Sequence, residues 1–95
     1  MSKLSIDNKN KTALEDNMAW INDDNMLIKD FEFEDFKGAI SFVTKIADIA
    51  EKMNHHPNIL IHDYKHVRVT LATHSEGKVT SKDIELSRQI DGITA

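Results

Sequence analysis

Apolar side chains recur at helical spacing over one long stretch of this chain and at alternate positions over two shorter ones. From Asp35 to Asn54, at 100° per residue, Phe36, Ala39, Ile40, Phe42, Val43, Ile46, Ala47, Ile49, Ala50 and Met53 occupy about half the circumference of a helix. Lys37, Ser41, Thr44, Lys45, Asp48, Glu51 and Lys52 occupy the other half. Asp35 supplies an N-cap, and Pro57 forbids continuation past His55-His56, so the pattern predicts a helix over this whole segment. Its stripe is wider than contact with one sheet requires, which leaves room for a neighbouring helix or another subunit.

The alternating stretches predict strands. Trp20-Ile21 and the run from Met26 to Phe33 flank the polar cluster Asn22-Asp23-Asp24-Asn25, which is turn chemistry, so a hairpin is expected. Leu27, Phe31 and Phe33 share one face of its second strand, and Lys29 breaks the pattern. Asn58 to His62 and His66 to His74 form a second predicted hairpin around Asp63-Tyr64-Lys65. Val67, Val69, Leu71 and Thr73 face one way there, and His66, Arg68, Thr70, Ala72 and His74 the other. A short helix near Lys11 to Ala19 is marked by Leu14 and Met18. A last helix from Thr80 to Asp91 carries Ile84, Leu86 and Ile90 and stops at Gly92. The predicted order is α-β-β-α-β-β-α. Grouped hairpins separated by helices imply an α+β two-layer sandwich, a four-stranded antiparallel sheet with helices on one face. Residues 1–95 read as a single domain in which 1–9 are polar and flexible.

Composition narrows the function. A net charge of −4 without a concentrated Lys/Arg block argues against nucleic-acid and anionic-membrane partners. There is no cysteine, which removes thiolate catalysis and cysteine-based zinc sites. The amino terminus lacks the apolar core of a secretory signal and no aliphatic run approaches membrane-spanning length, so a cytoplasmic setting is expected. HExxH, GxSxG, P-loop and GxGxxG patterns are all absent, and adjacent histidines are poorly placed to chelate one ion. No metal or cofactor is expected.

The chemistry then falls to the five histidines, all between positions 55 and 74. An imidazole titrates near neutrality and can both give and take a proton. His55 and His56 close the long helix, where the helix dipole favours an imidazolium by about 0.3–1 kcal/mol; they serve equally well as a C-cap on the last carbonyls. His74, at a strand end, could be an accident of its loop, and His62 and His66 read as solvated surface side chains. Thr80-x-x-Asp83 spells a capping box, and a carboxylate has lone pairs enough to cap a helix and orient a histidine together. Trp20 reads as partly buried core rather than a stacking platform.

Taken together, Glu51-Lys52-Met53-Asn54-His55-His56-Pro57, six residues, Tyr64, nine residues, His74, eight residues and Asp83 resemble the signature of the pterin-4a-carbinolamine dehydratases. The resemblance extends through Phe31-Glu32-Phe33-Glu34-Asp35-Phe36 back to Trp20 and covers roughly residues 12 to 93. It implies loss of water from a 4a-hydroxytetrahydropterin, which needs an acid for the departing hydroxyl and a base for the N5 proton and no redox centre. It assigns catalysis to His55, His56 and His74, with Asp83 orienting or tuning a histidine. It also implies pterin contacts from Asn54-His55-His56 and Ala72-Thr73-His74-Ser75. Asn54 stands where the family has Asp, and Ser75 where it has Glu, which lowers negative charge at the rim of the site. A homodimer or homotetramer is implied as well. The competing readings are a protein-interaction module of the same fold and an accessory role in molybdopterin metabolism.

Overall fold

The computed structural model describes residues 20–93. The elements run β1 (Ile21–Asp23), β2 (Met26–Glu32), α1 (Phe36–Met53), β3 (Asn58–His62), β4 (His66–Leu71) and α2 (Ser81–Asp91). The helix expected over 11–19 and the segment 1–9 lie outside the described residues. The strands form one sheet in the order β1-β2-β4-β3, antiparallel at every pairing, so the α+β class holds.

Local chemistry explains the boundaries. Asp23 pairs with Met26, which leaves Asp24-Asn25 as a two-residue loop with φ of 54° and 62°. Asp and Asn tolerate this left-handed region better than most side chains, and its twist matches that of the flanking strands. The polar cluster at 22–25 is therefore half strand and half turn. At α1, the Asp35 carboxylate accepts from the Gly38 amide at 2.8 Å. The helix ends on Asn54 at φ 52°, with the Asn54 amide donating to the Glu51 carbonyl and the His55 amide to the Ala50 carbonyl. That pair of bonds is a Schellman closure, and it aims His55 out of the helix axis.

Val67, Val69 and Leu71 of β4 are fully buried. Register adds Leu27, Lys29 and Phe31 of β2 and Ile59 and Ile61 of β3 to their face. Ala39, Phe42, Ile46 and Ala50 of α1 and Leu86 and Ile90 of α2 cover this face. Phe42 lies between Phe31 and Phe33, with ring centroids 4.7 and 4.9 Å away. Each such large apolar side chain contributes about 1.5–3 kcal/mol through burial. The opposite face is wetter and carries a two-pronged Arg68–Asp30 pair at 3.0 and 3.1 Å.

Three details depart from the sequence reading and two extend it. Lys29 does not break the inner face but belongs to it. Its side chain is 13% exposed, its Nζ lies 2.8 Å from Asp91 Oδ1, and it sits 5.0 Å over the Phe31 ring. Trp20, half-buried as expected, donates from Nε1 to the other Asp91 oxygen at 3.1 Å, so the end of α2 is tied to the sheet. Strand β4 stops at Leu71 instead of His74, because Thr73 turns back to bridge Lys78 around Gly77, whose φ is 66°. On α2 it is Asp83, Leu86, Ser87 and Ile90 that are buried, while Ile84 is 52% exposed. Finally, Phe36 and Ile40 remain 51% and 42% exposed, so the apolar stripe of α1 is broader than the surface these elements cover.

Candidate functional site

The sheet register sorts the histidines. Asn58 opposes Thr70, so the residues entering β3 (His55-His56-Pro57) and those leaving β4 (Ala72-Thr73-His74) meet at the same end of the strand pair. His62 opposes His66 at the other end, roughly 13 Å away along a five-residue strand. The sequence cluster is thus two groups in space. His62 and His66 are half-buried and stack at 5.2 Å, not solvated singly as expected; His62 lies 3.1 Å from Asp63 and 3.6 Å from Asp30.

Asp83 organises the first group. It stands in the first turn of α2 and is fully buried. Its Oδ1 lies 2.6 Å from His55 Nε2, and that ring is only 12% exposed. Oδ2 accepts from the Thr73 hydroxyl at 2.7 Å and the Thr80 amide at 2.9 Å. The Thr80 side chain in turn receives the amides of the first turn, so the capping box is complete. One carboxylate therefore starts the helix and holds the histidine. Burial pushes its pKa up, but the bonds from His55, Thr73 and Thr80 favour the ionised form more strongly, and the net displacement is downward.

The ionised carboxylate can only accept, so His55 Nε2 carries a proton toward it and Nδ1 is the nitrogen left for other work. His56 is more loosely held. Its Nε2 meets Glu51 at 2.6 Å, but the two side chains are 55% and 75% exposed, where an ion pair adds about 0–1 kcal/mol. His74 is exposed and its ring makes no hydrogen bond to the described residues; it is carried by the tight turn that follows Thr73. Ala72 is half-buried, and Asn54 and Ser75 are exposed on the flanking turns. The left-handed φ of Asn54 gives that position a conformational reason to be Asn or Asp, separate from charge.

Two hydroxyls escaped the sequence reading. The resemblance gives Thr73 only a pterin contact and the sequence gives Thr80 only a cap, yet both side chains stand around the Asp83 carboxylate, with their oxygens 2.6 Å apart. A threonine on the inner face of a predicted strand beside the capping-box carboxylate was the available signal. A separate hollow of about 310 Å³ lies at the opposite end of α1, lined by Phe33, Asp35, Gly38, Phe42, Lys45 and Ile93 among others. Among the described residues no three His, Asp or Glu converge as a metal site, and no helix is long and apolar enough to cross a membrane.

Comparison with known proteins bears on this arrangement. The family described as Pterin 4 alpha carbinolamine dehydratase matches residues 3–93. A Sulfolobus acidocaldarius protein, provisionally named pterin-4-alpha-carbinolamine dehydratase, is 41% identical over 87 residues, covering 92% of this chain and 94% of its own. A Prochlorococcus marinus protein with the same provisional name is 38% identical and covers 96% and 95%. Among solved structures, a transcriptional coactivator/pterin dehydratase from Brucella melitensis superposes with a TM-score of 0.74 at 38% identity over 84% of each chain. A pterin dehydratase-like RuBisCO assembly factor of the alpha-carboxysome has a TM-score of 0.64 at 22% identity, over 78% of this chain and 87% of its own, a likeness of fold.

Proposed function

The chain belongs to the pterin-4a-carbinolamine dehydratase family, and on that premise we propose that it converts a 4a-hydroxytetrahydropterin to the quinonoid dihydropterin during tetrahydropterin recycling, in the cytoplasm. One observation carries the reading: a buried carboxylate fixes the tautomer of His55 at the sheet end from which His74 also emerges.

In this reading the acid protonates the 4a-hydroxyl, the C4a–O bond breaks, and water leaves. The N5 lone pair forms the N5=C4a bond, and the base takes the N5 proton. Protons balance and no electrons are exchanged with a cofactor. His55 and His74 divide the acid and base work, and His56, exposed and weakly tethered, binds and polarises the ring. Asp83 stabilises the charge that His55 carries while protonated. Asn54, Ala72, Thr73 and Ser75 offer the backbone groups of the two flanking turns to the pterin.

The test follows decay of a chemically generated 4a-carbinolamine with and without purified protein. His55→Ala and His74→Ala are each expected to slow it by about 10²-fold or more. A rate unchanged by both substitutions refutes the proposal. A second reading, an interaction module of the same fold, draws on the exposed Phe36 and Ile40 of α1, a flank equally suited to the self-association the family implies. Sedimentation of Ile40→Glu against the unmutated chain separates them: dissociation to monomer with activity retained points to self-association.

A further inference from the structure

We propose that Thr73 is the positioning residue joining the two halves of the site: a directed chain of hydroxyls, Thr80 to Thr73 to Asp83, pins one carboxylate oxygen so that the other faces His55, while the backbone of the same Thr73 anchors the turn bearing His74. The effect on rate rests on the dehydratase reading; the effect on His55 rests on geometry alone.

The direction of the chain follows from counting protons. Thr73 is buried, 7% exposed, and its Oγ1 has two oxygen neighbours, Asp83 Oδ2 at 2.7 Å and Thr80 Oγ1 at 2.6 Å. The ionised carboxylate has no proton to give, so the single Thr73 proton goes to it and the Thr80 hydroxyl donates to Thr73. Thr80 Oγ1 is free to do so because the Lys82 amide approaches it as a donor, at 3.3 Å. The backbone of Thr73 is equally committed. Its amide donates to the Lys78 carbonyl at 2.9 Å, and its carbonyl accepts from the Glu76 and Gly77 amides at 3.0 and 2.8 Å. Every polar group of the residue is occupied, one set on the His55 side and one on the His74 side.

A carboxylate can turn about its Cβ–Cγ bond and exchange its oxygens, and one imidazole partner does not prevent that. Two donors on Oδ2, the Thr73 hydroxyl and the Thr80 amide, do. Without the Thr73 hydroxyl, the side chain best placed to replace it is Thr80, whose Oγ1 stands 3.5 Å from Oδ2, the outer limit of a hydrogen bond.

Thr73→Val keeps the shape and removes the hydroxyl. In the folded variant, ¹⁵N spectra of the ring are expected to keep the Nε2–H tautomer of His55, which the ionised carboxylate enforces in either orientation, but to show that proton shifted upfield and exchanging faster with solvent, because Asp83 is no longer held in one orientation. The Asp83 carboxyl carbon is expected to titrate at higher pH, and kcat to fall about tenfold with KM within about twofold. Thr73→Ser is expected to recover slow Nε2–H exchange and most of the lost rate. Unaltered Nε2–H exchange at His55 in folded Thr73→Val overturns the proposal, and so does failure of serine to rescue, which would assign the role to packing of the methyl group. Should the valine variant not fold, Thr73→Ala is compared with Thr73→Ser by the same readings. If the unmutated protein lacks dehydratase activity, the proposed function fails and the spectra still decide the positioning role.

Discussion

Replacing Asp83 by asparagine changes one atom from acceptor to donor and leaves the shape alone. Two partners on the Oδ2 side approach as donors, the Thr80 amide at 2.9 Å and the Thr73 hydroxyl at 2.7 Å. The amide oxygen of asparagine therefore stays with them, and its NH₂ turns to His55. Faced with a donor at a position now 2.6 Å from Nε2, the imidazole must present a lone pair there and move its proton to Nδ1. The helix cap survives and the tautomer inverts. A charge-assisted bond worth about 1.5–3 kcal/mol gives way to a neutral one worth about 1 kcal/mol, so the folded state loses roughly 0.5–2 kcal/mol. On the dehydratase reading the rate suffers more: as a base, His55 would carry a proton on Nδ1 where it needs a lone pair, and as an acid it would lack the anion that supports its charge. A loss of about 10²–10⁴ in rate is expected, some 2.7–5.4 kcal/mol of barrier. Urea unfolding reads the first quantity, carbinolamine decay the second, and ring ¹⁵N shifts the tautomer. A folded Asp83→Asn protein with its rate within about threefold of the unmutated chain would refute the reasoning.

Three further outcomes follow from the same geometry. Because the Asp83 carboxyl is held below its ordinary range, the unfolded chain binds more protons between the folded value and the usual one of about 3.9. The stabilisation is therefore complete above about pH 5 and is lost as the pH falls through the folded value; urea midpoints measured against pH should show this acid limb, and Asp83→Asn should lack it. At the other end of α2, Asp91→Ala strands the Lys29 ammonium on the inner face and should cost about 2–3 kcal/mol, whereas Lys29→Met should stay within about 1 kcal/mol; equal costs in thermal unfolding would contradict the assigned pairing. Asn54→Gly should be near neutral and Asn54→Val should cost about 1–2 kcal/mol in the same assay, because the left-handed backbone there excludes a β-branched side chain.

Period and punctuation carried most of the fold. The long helix, both hairpins and the last helix are all legible because each apolar repeat is bounded by a cap, a Pro or a turn cluster whose chemistry is local. Two of the three misread details depend on partners well separated in sequence. Lys29 looks like a fault in a strand until Asp91, 62 residues later, arrives beside it. Ile84 looks like core because the reading counts apolar residues, whereas the buried stripe of α2 includes Asp83 and Ser87, which are satisfied by hydrogen bonds that no periodicity encodes. The alternation runs on through Thr73 and His74, past the end of β4; Gly77 is the local hint that the chain turns. At the site, Thr80-x-x-Asp83 reads as a cap that can also orient a histidine; that the histidine is His55 needs the fold. The dual grip of Thr73 was not legible, since it needs the register that sets β4 against β3.

The carboxylate that meets His55 also closes the first turn of α2, so fraying of that turn and dissolution of the site are a single event. Amide exchange at Thr80, which donates to that carboxylate, and at Asp83 then becomes a direct count of how often the protein leaves its competent arrangement. On warming, activity should fade in step with that turn and ahead of the sheet, whose buried valines keep their own protection to higher temperature.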